Sequence, residues 1–208
     1  MWRNRKNRNR RSEDRPALLV IGLGNPGRRY ERTFHNAGRA AVGRLADRLG
    51  ARFRASGEAD TGFGRLGSAG LLLGRPRTYM NLSGPAMEPL YRRHAGGPEK
   101  LLVVHDDLDL PLGTVRLKRG GGTGGHKGLR SLEEALGTAG FLRIRIGIGR
   151  PPEGIDPAEY VLSRVPEEVR ERFDESVEAA AEAVADIVQD GFDRAMTRWN
   201  AKRPEPLP

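Results

Sequence analysis

His35 follows a presumptive core strand, stands among polar residues and glycine, and immediately precedes a helical stretch. An imidazole so placed is suited to take a proton from water. A second group, His105-Asp106-Asp107-Leu108-Asp109, follows the apolar run 101–104. It admits three chemistries. Clustered carboxylates with a histidine suit Mg²⁺ and metal-dependent phosphoester cleavage. They also suit a polar turn at a strand end. In the third reading, one carboxylate orients an imidazole supplied from elsewhere in the chain. Residue types alone leave all three open. Asn81, in the junction Thr78-Tyr79-Met80-Asn81-Leu82-Ser83-Gly84, carries the acceptor and two donors that hold a peptide backbone or orient a water. His94 lies among arginines and glycines and reads as surface.

Two glycine-rich runs bear on ligand class. Gly22-Leu23-Gly24-Asn25-Pro26-Gly27 matches G-x-G-x-x-G after a strand. A dinucleotide fold would start its helix within that turn, whereas residues 28–33 intervene here, and the acid expected about 20 positions on would be Asp47, inside a helix. In Gly124-Gly125-His126-Lys127-Gly128 the lysine is followed by glycine, so the GK-[ST] register of a phosphate-binding NTPase loop is missing. Glycines leading into a helix still offer backbone N–H groups to an anion.

These groups need a scaffold. Residues 17–21 form a short apolar run, which reads as a buried central strand. Residues 36–49 carry a helical apolar stripe, with Asn36 placed to cap it and Gly50 to stop it. Residues 52–74 read as a meander of short strands broken by glycine. Residues 83–95 read as a helix capped by Ser83. Strands are expected at 101–104, 114–118 and 143–146, the last alternating so that arginines face one side and isoleucines the core. A loop at 120–125, a helix over 127–136, a linker after 150–152 and a long acidic helix over 166–189, with Pro166 in its first turn, complete the pattern. Alternating strands and helices predict an α/β fold: one three-layer domain over 17–200, with a mixed twisted sheet and helices on both faces. Residues 1–16, nearly devoid of apolar side chains, read as a disordered basic tail.

The chain has no cysteine among its 208 residues. That excludes disulfides, thiolate zinc sites and thiol catalysis, and fits a reducing compartment. No run approaches the ~20 apolar residues of a membrane span, and the N-terminus lacks the apolar core of a secretory signal, so a cytoplasmic location is expected. Net charge is +9 and unevenly spread: +5 over residues 1–15, +11 over 16–150 and −7 over 151–208. A basic body points to a polyanionic partner.

Four segments, GLGNPGRRYERTFHNAG (22–38), PRTYMNLSG (76–84), VVHDDLDLPLGTVRLKRGGGTGGHKGLRSL (103–132) and FLRIRIGIGRP (141–151), resemble in order and spacing the bacterial peptidyl-tRNA hydrolase family, with EYVLSRV (159–165) a weaker fifth. The resemblance covers roughly residues 17–190. It implies cleavage of the ester between a peptide and the 3′ ribose of tRNA, with no cofactor and no metal. By the same resemblance His35 is the general base and Asp106 its partner, while Asn25, Asn81, Met80, Tyr30 and Lys127 lie at the substrate site. Arg116, Lys118 and Arg145 match basic positions used near tRNA phosphates, and a monomer is implied.

Two positions depart from the family pattern. Lys127 stands where the family carries Asn after the histidine, and Phe34 stands where it commonly carries Arg, a change that touches packing or RNA contact beside His35. A non-catalytic relative, similar to intron-splicing factors of the same fold, would keep the basic face without needing the catalytic set. Retention of His35, Asp106, Asn25 and Asn81 argues against it. His35 is expected to line an open cleft, where its loss would hardly disturb folding.

Overall fold

The computed structural model describes residues 16–202, so the basic tail lies, apart from Pro16, outside the described residues. Seven strands, β1 Leu18–Gly22, β2 Arg54–Ser56, β3 Ala59–Leu66, β4 Ala69–Pro76, β5 Leu101–Asp107, β6 Val115–Arg119 and β7 Leu142–Gly147, make one sheet. Their order is β2-β3-β4-β1-β5-β7-β6. The four central strands run parallel, and the two margins are antiparallel. Among the described residues, six α-helices follow in chain order: α1 Ala37–Arg48, α2 Ser83–Leu90, α3 Lys127–Leu136, α4 Pro157–Leu162, α5 Glu167–Asp190 and α6 Phe192–Ala201.

All five residues of β1 are buried because both faces of the sheet are covered. Leu18, Val20, Leu102, Val104, Ile144 and Ile146 pack with α1, α5 and α6. On the opposite face Leu19, Ile21, Leu101 and Val103 pack with Met87 of α2 and with Leu129 and Leu132 of α3. This is the expected three-layer sandwich. Each such aliphatic side chain contributes about 1.5–3 kcal/mol on burial. Among the described residues no helix is long and apolar enough to cross a membrane.

The sheet turns in opposite directions on either side of β1, which pairs with β4 on one flank and β5 on the other. In open α/β sheets a crevice forms outside the carboxyl ends of the strands at such a switch point. Here α1 lies almost on the backbone of the central strands. A Cβ on Gly38 would stand 2.0 Å from the Val104 carbonyl oxygen, and one on Gly22 would stand 2.4 Å from the Gly38 oxygen. No side chain fits between these elements.

Several local expectations are corrected. β5 runs three residues past the apolar stretch, because its ladder with β7 continues to Asp107 opposite Gly147. Asn36 stands at the N-cap position of α1 without capping it: its carboxamide is spent on the Asn25 backbone. Ser83 lies inside α2, buried, with its Oγ unpartnered, and the Gly84 amide is met instead by Ser131 Oγ of α3 at 2.9 Å. The helix expected over 83–95 is α only to Leu90 and relaxes to a wider π turn over Tyr91–Ala95. Pro166 precedes α5 as its cap residue rather than entering its first turn. The linker after residue 152 contains α4, capped by Asp156, whose Oδ1 accepts from the Ala158 amide.

Phe34 resolves the second departure from the family pattern as packing. Its ring is buried, stacked on Tyr160 of α4 at 4.9 Å and edge-on to Phe173 of α5 at 5.7 Å.

Candidate active site

A cleft of about 1300 Å³ opens at the carboxyl ends of the parallel strands. His35 reaches it from a 3-10 turn, Phe34–Asn36, that runs directly into α1. Asp106 reaches the same point from the end of β5. His35 Nδ1 lies 3.0 Å from each Asp106 carboxylate oxygen. The pair is not as open as expected: His35 is 7% exposed and Asp106 3%.

Sequence reasoning did not assign His126 to this group. It caps α3, where its Nδ1 accepts from the amides of Gly128 at 3.1 Å and Leu129 at 3.3 Å. A ring nitrogen that accepts from two N–H groups carries no proton, so the proton sits on Nε2. That nitrogen lies 3.1 Å from Asp106 Oδ1 and donates to it. The available signal was a histidine immediately ahead of a helix, in a position where Ser, Thr, Asp and Asn are the usual caps. The amides engaged in this way are those of Gly128 and Leu129 inside the helix, not those of the glycines before it.

Burial alone would raise the Asp106 carboxyl. The two imidazoles outweigh it and hold this group well below the usual carboxylate range. As an anion it accepts from His35 Nδ1–H, and this leaves His35 Nε2 unprotonated and facing the cleft. His105 takes no part in this pair: its ring turns back, with Nδ1 2.6 Å from the Asp106 carbonyl oxygen and Nε2 buried without a partner. Burial, aided by the neighbouring His126, lowers its pKa to about 3, so it is neutral at physiological pH.

The other acids of the cluster diverge. Asp107 points to the opposite face of β5, where Arg145 Nε meets it at 2.7 Å, and Arg150 pairs with Asp109 at 2.5 Å. Burial opposes ionisation of Asp107, yet Arg145 holds its carboxyl below the usual range. The carboxylates do not converge as a Mg²⁺ site requires. Among the described residues, only His35, Asp106 and His126 bring ligand atoms together, within 4.8 Å. That set fits a metal poorly: a neutral imidazole bound through Nε2 must carry its proton on Nδ1, and His126 Nδ1 is an acceptor here.

The expected substrate residues gather on the same cleft. Asn25 Oδ1 accepts from the Met80 amide at 2.8 Å, so its NH₂ group is what it offers to the cavity it lines. Met80 is buried below the rim, its sulfur packed against Gly128 at the foot of α3. Asn81 and Lys127 are exposed and line the cleft. Tyr30 stands edge-on to Tyr79 at 6.4 Å, with the Arg29 guanidinium 4.5 Å above its ring.

The basic residues lie along the β6–β7 margin, where Arg116 faces Arg145 and Lys118 faces Arg143 in register. They are less free than the sequence implies. Arg116 Nη1 donates to the Trp199 carbonyl oxygen at 3.1 Å, and Arg145 is paired with Asp107. Lys118 runs across Gly121, where a Cβ would meet its Nζ at 2.7 Å. β7 turns both arginines to one side and its isoleucines to the core, but that side is covered at Arg143. Arg143 is 2% exposed and donates to the carbonyl oxygens of Gly122, Gly121 and Ala139 at 2.7, 2.5 and 3.3 Å.

Comparison with known proteins places this geometry. Residues 19–206 match the family model described as peptidyl-tRNA hydrolase. The peptidyl-tRNA hydrolase of Rhodococcus erythropolis is 49% identical over 183 residues, 86% of this chain and 96% of that protein. The peptidyl-tRNA hydrolase of Mycobacterium tuberculosis (strain CDC 1551 / Oshkosh) is 48% identical over 187 residues, 88% and 97% of the two chains. The crystal structure of peptidyl-tRNA hydrolase from Acinetobacter baumannii superposes with a TM-score of 0.84 at 37% identity, covering 90% of this chain and 96% of that one. With its sandwich fold, its cleft and its matched length, the chain belongs to the peptidyl-tRNA hydrolase family.

Proposed function

We propose that the chain hydrolyses the ester joining a peptide to the 3′ ribose of tRNA, using water activated by His35 and no metal. The carrying observation is the His35–Asp106 contact at 3.0 Å, made by a histidine that lines the cleft. Nε2 takes a proton from water as its oxygen attacks the ester carbonyl carbon. The Asp106 anion stabilises the imidazolium that forms. The carbonyl π bond opens to an oxyanion, for which the NH₂ groups of Asn25 and Asn81 are the nearby donors. Collapse breaks the bond to the ribose oxygen, which takes the proton back from Nε2. The products are a peptide acid and a tRNA with a free 3′ hydroxyl.

Lys127 supplies a cation where the family pattern has an amide, so it can meet a phosphate or the oxyanion but cannot accept a hydrogen bond. Arg116, Lys118 and Arg145 lie along the β6–β7 margin of the sheet, suited to phosphates of the acceptor stem. Phosphate contacts position RNA without reading its sequence, as an enzyme acting on many tRNAs needs. A cytoplasmic, monomeric enzyme is consistent with this reading.

The test is release of peptide from peptidyl-tRNA by wild type and by His35→Ala, with and without EDTA. Expected are release by wild type in both conditions, intact tRNA as product, and loss of release in the variant. EDTA-sensitive cutting of RNA phosphodiesters would instead favour a metal nuclease. Binding without any release would favour a non-catalytic relative.

A further inference from the structure

Outside the cleft, three arginines converge on one acid. Arg39 of α1, Arg75 near the end of β4 and Arg77 just beyond it surround Asp60 of β3, at 3.3, 3.9 and 3.7 Å from its carboxylate. One negative charge faces three positive ones. Among the described residues, only Arg39 makes a hydrogen bond to the acid. Arg75 lies on the Phe53 ring at 3.6 Å with its Nε buried and unpartnered. Arg77, half exposed, has no hydrogen bond from its guanidinium among the described residues. Glu31 and Asp47 act on the group only from further off.

Arg143, whose Nε is likewise buried and unpartnered, spends both terminal nitrogens on three carbonyl oxygens, whereas Arg75 makes no hydrogen bond from its guanidinium among the described residues. The Asp60 group leaves donors open while holding like charges together. Burial, and for Arg75 the nearby Arg39 charge, lower the pKa of Arg39 and Arg75 against the opposing pull of Asp60. An anion with several oxygens relieves both deficits, because guanidinium forks match phosphate geometry.

The cluster's place decides which anion. Arg39 Nη1 donates to the Pro76 carbonyl oxygen at 2.8 Å, tying the cluster to the segment that continues as Tyr79, Met80 and Asn81 in the cleft wall. Arg77 precedes Tyr79 by two residues, about 7 Å of chain at most. In the sheet, this β4 flank and the β6–β7 margin lie on opposite sides of the β1–β5 pair that carries the cleft. A polyanion seated in the cleft would therefore meet positive charge on both sides.

We infer that Arg39, Arg75 and Arg77, gathered by Asp60, form a second contact for the sugar-phosphate backbone of tRNA, across the cleft from Arg116, Lys118 and Arg145. The inference rests on the proposed tRNA substrate and adds a contact to it.

The experiment measures deacylated tRNA binding to the full chain over a salt series, for wild type, Arg77→Ala, Arg77→Lys, Arg75→Met and, as control, Arg65→Ala at the far end of β3. Loss of one phosphate contact lowers the slope of log K against log salt by about 0.7–0.9. Arg77→Ala is expected to do so and to raise Kd roughly fivefold at 0.1 M salt. Arg77→Lys should retain most of the slope, Arg75→Met should resemble Arg77→Ala, and Arg65→Ala should match wild type. Unchanged Kd and slope in both Arg77→Ala and Arg75→Met overturn the inference. So does a lowered melting temperature with unchanged tRNA affinity, which would make the cluster a structural hub. Wild type that cleaves peptidyl-tRNA while those variants bind normally refutes this contact alone. Wild type that neither binds nor cleaves refutes the function beneath it.

Discussion

His126 donates its Nε2 proton to Asp106 because α3 occupies its other nitrogen. One side chain thus ends a helix and fixes a tautomer. His126→Ala removes both services. Loss of the cap should cost about 1 kcal/mol, loss of a donor to a buried carboxylate about 1–3 more, and turnover should fall roughly 10- to 100-fold. His126→Asn can cap the helix but is too short to reach Asp106. It should recover stability and not rate, as chemical denaturation and single-turnover peptide release would reveal; recovery of both would remove His126 from the orientation of Asp106.

His35→Ala should lower the rate by about 10²–10⁴-fold. Its burial makes the change less silent than an open cleft would allow. Asp106 keeps only His126 as a side-chain donor, and a stability loss of about 1–3 kcal/mol is expected. A melting temperature equal to wild type would mean that water replaces the imidazole without cost.

Arg143→Met should destabilise the chain by about 2–4 kcal/mol, because it strips three inward-facing carbonyls of their common donor. The long apolar stem of methionine keeps the packing on Phe141, so the measured deficit reports the hydrogen bonds. A shift in denaturation midpoint worth under about 1 kcal/mol would show that the glycine loop holds its shape unaided.

Acid stability follows from His105. Its folded pKa lies near 3, below the ordinary value of 6.5, so between those limits the unfolded chain binds the extra proton. Stability is therefore complete above pH 6.5 and declines as pH falls toward 3, by about 1.4 kcal/mol per unit at the steepest. Asp106, depressed by its imidazoles, adds a further loss only below its ordinary value of 3.8. His105→Asn, which keeps an N–H near the Asp106 carbonyl, should flatten the decline between pH 6.5 and 4. An unaltered slope there would assign the proton to another group.

Much of this was readable from residue patterns. The apolar runs at β1 and β5 marked the central strands, and motif order brought His35, Asp106, Asn25 and Asn81 to one place. What escaped notice depends on partners distant in sequence. Asn36 has the right chemistry for a helix cap, but Asn25, eleven residues earlier, claims its carboxamide. Alternation along β7 located its arginines correctly by face. It could not show that the glycine loop folds over that face and buries Arg143. His126 carries no such signal, because imidazole is an uncommon cap and its target lies twenty residues back, near the end of β5.

The bare contact of Gly38 with the Val104 carbonyl, and of Gly22 with Gly38, has a mechanical corollary. With no side chains as cushion, α1 and the two middle strands form a single stiff chassis, and His35 and Asp106 are both bolted to it. The cleft walls formed by Tyr79 to Asn81, Thr123 to Arg130 and Arg150 to Leu162 lie outside that chassis. The last of these walls still touches the chassis through the stack of Tyr160 on Phe34, so remodelling it for new cargo is felt at the turn that carries His35.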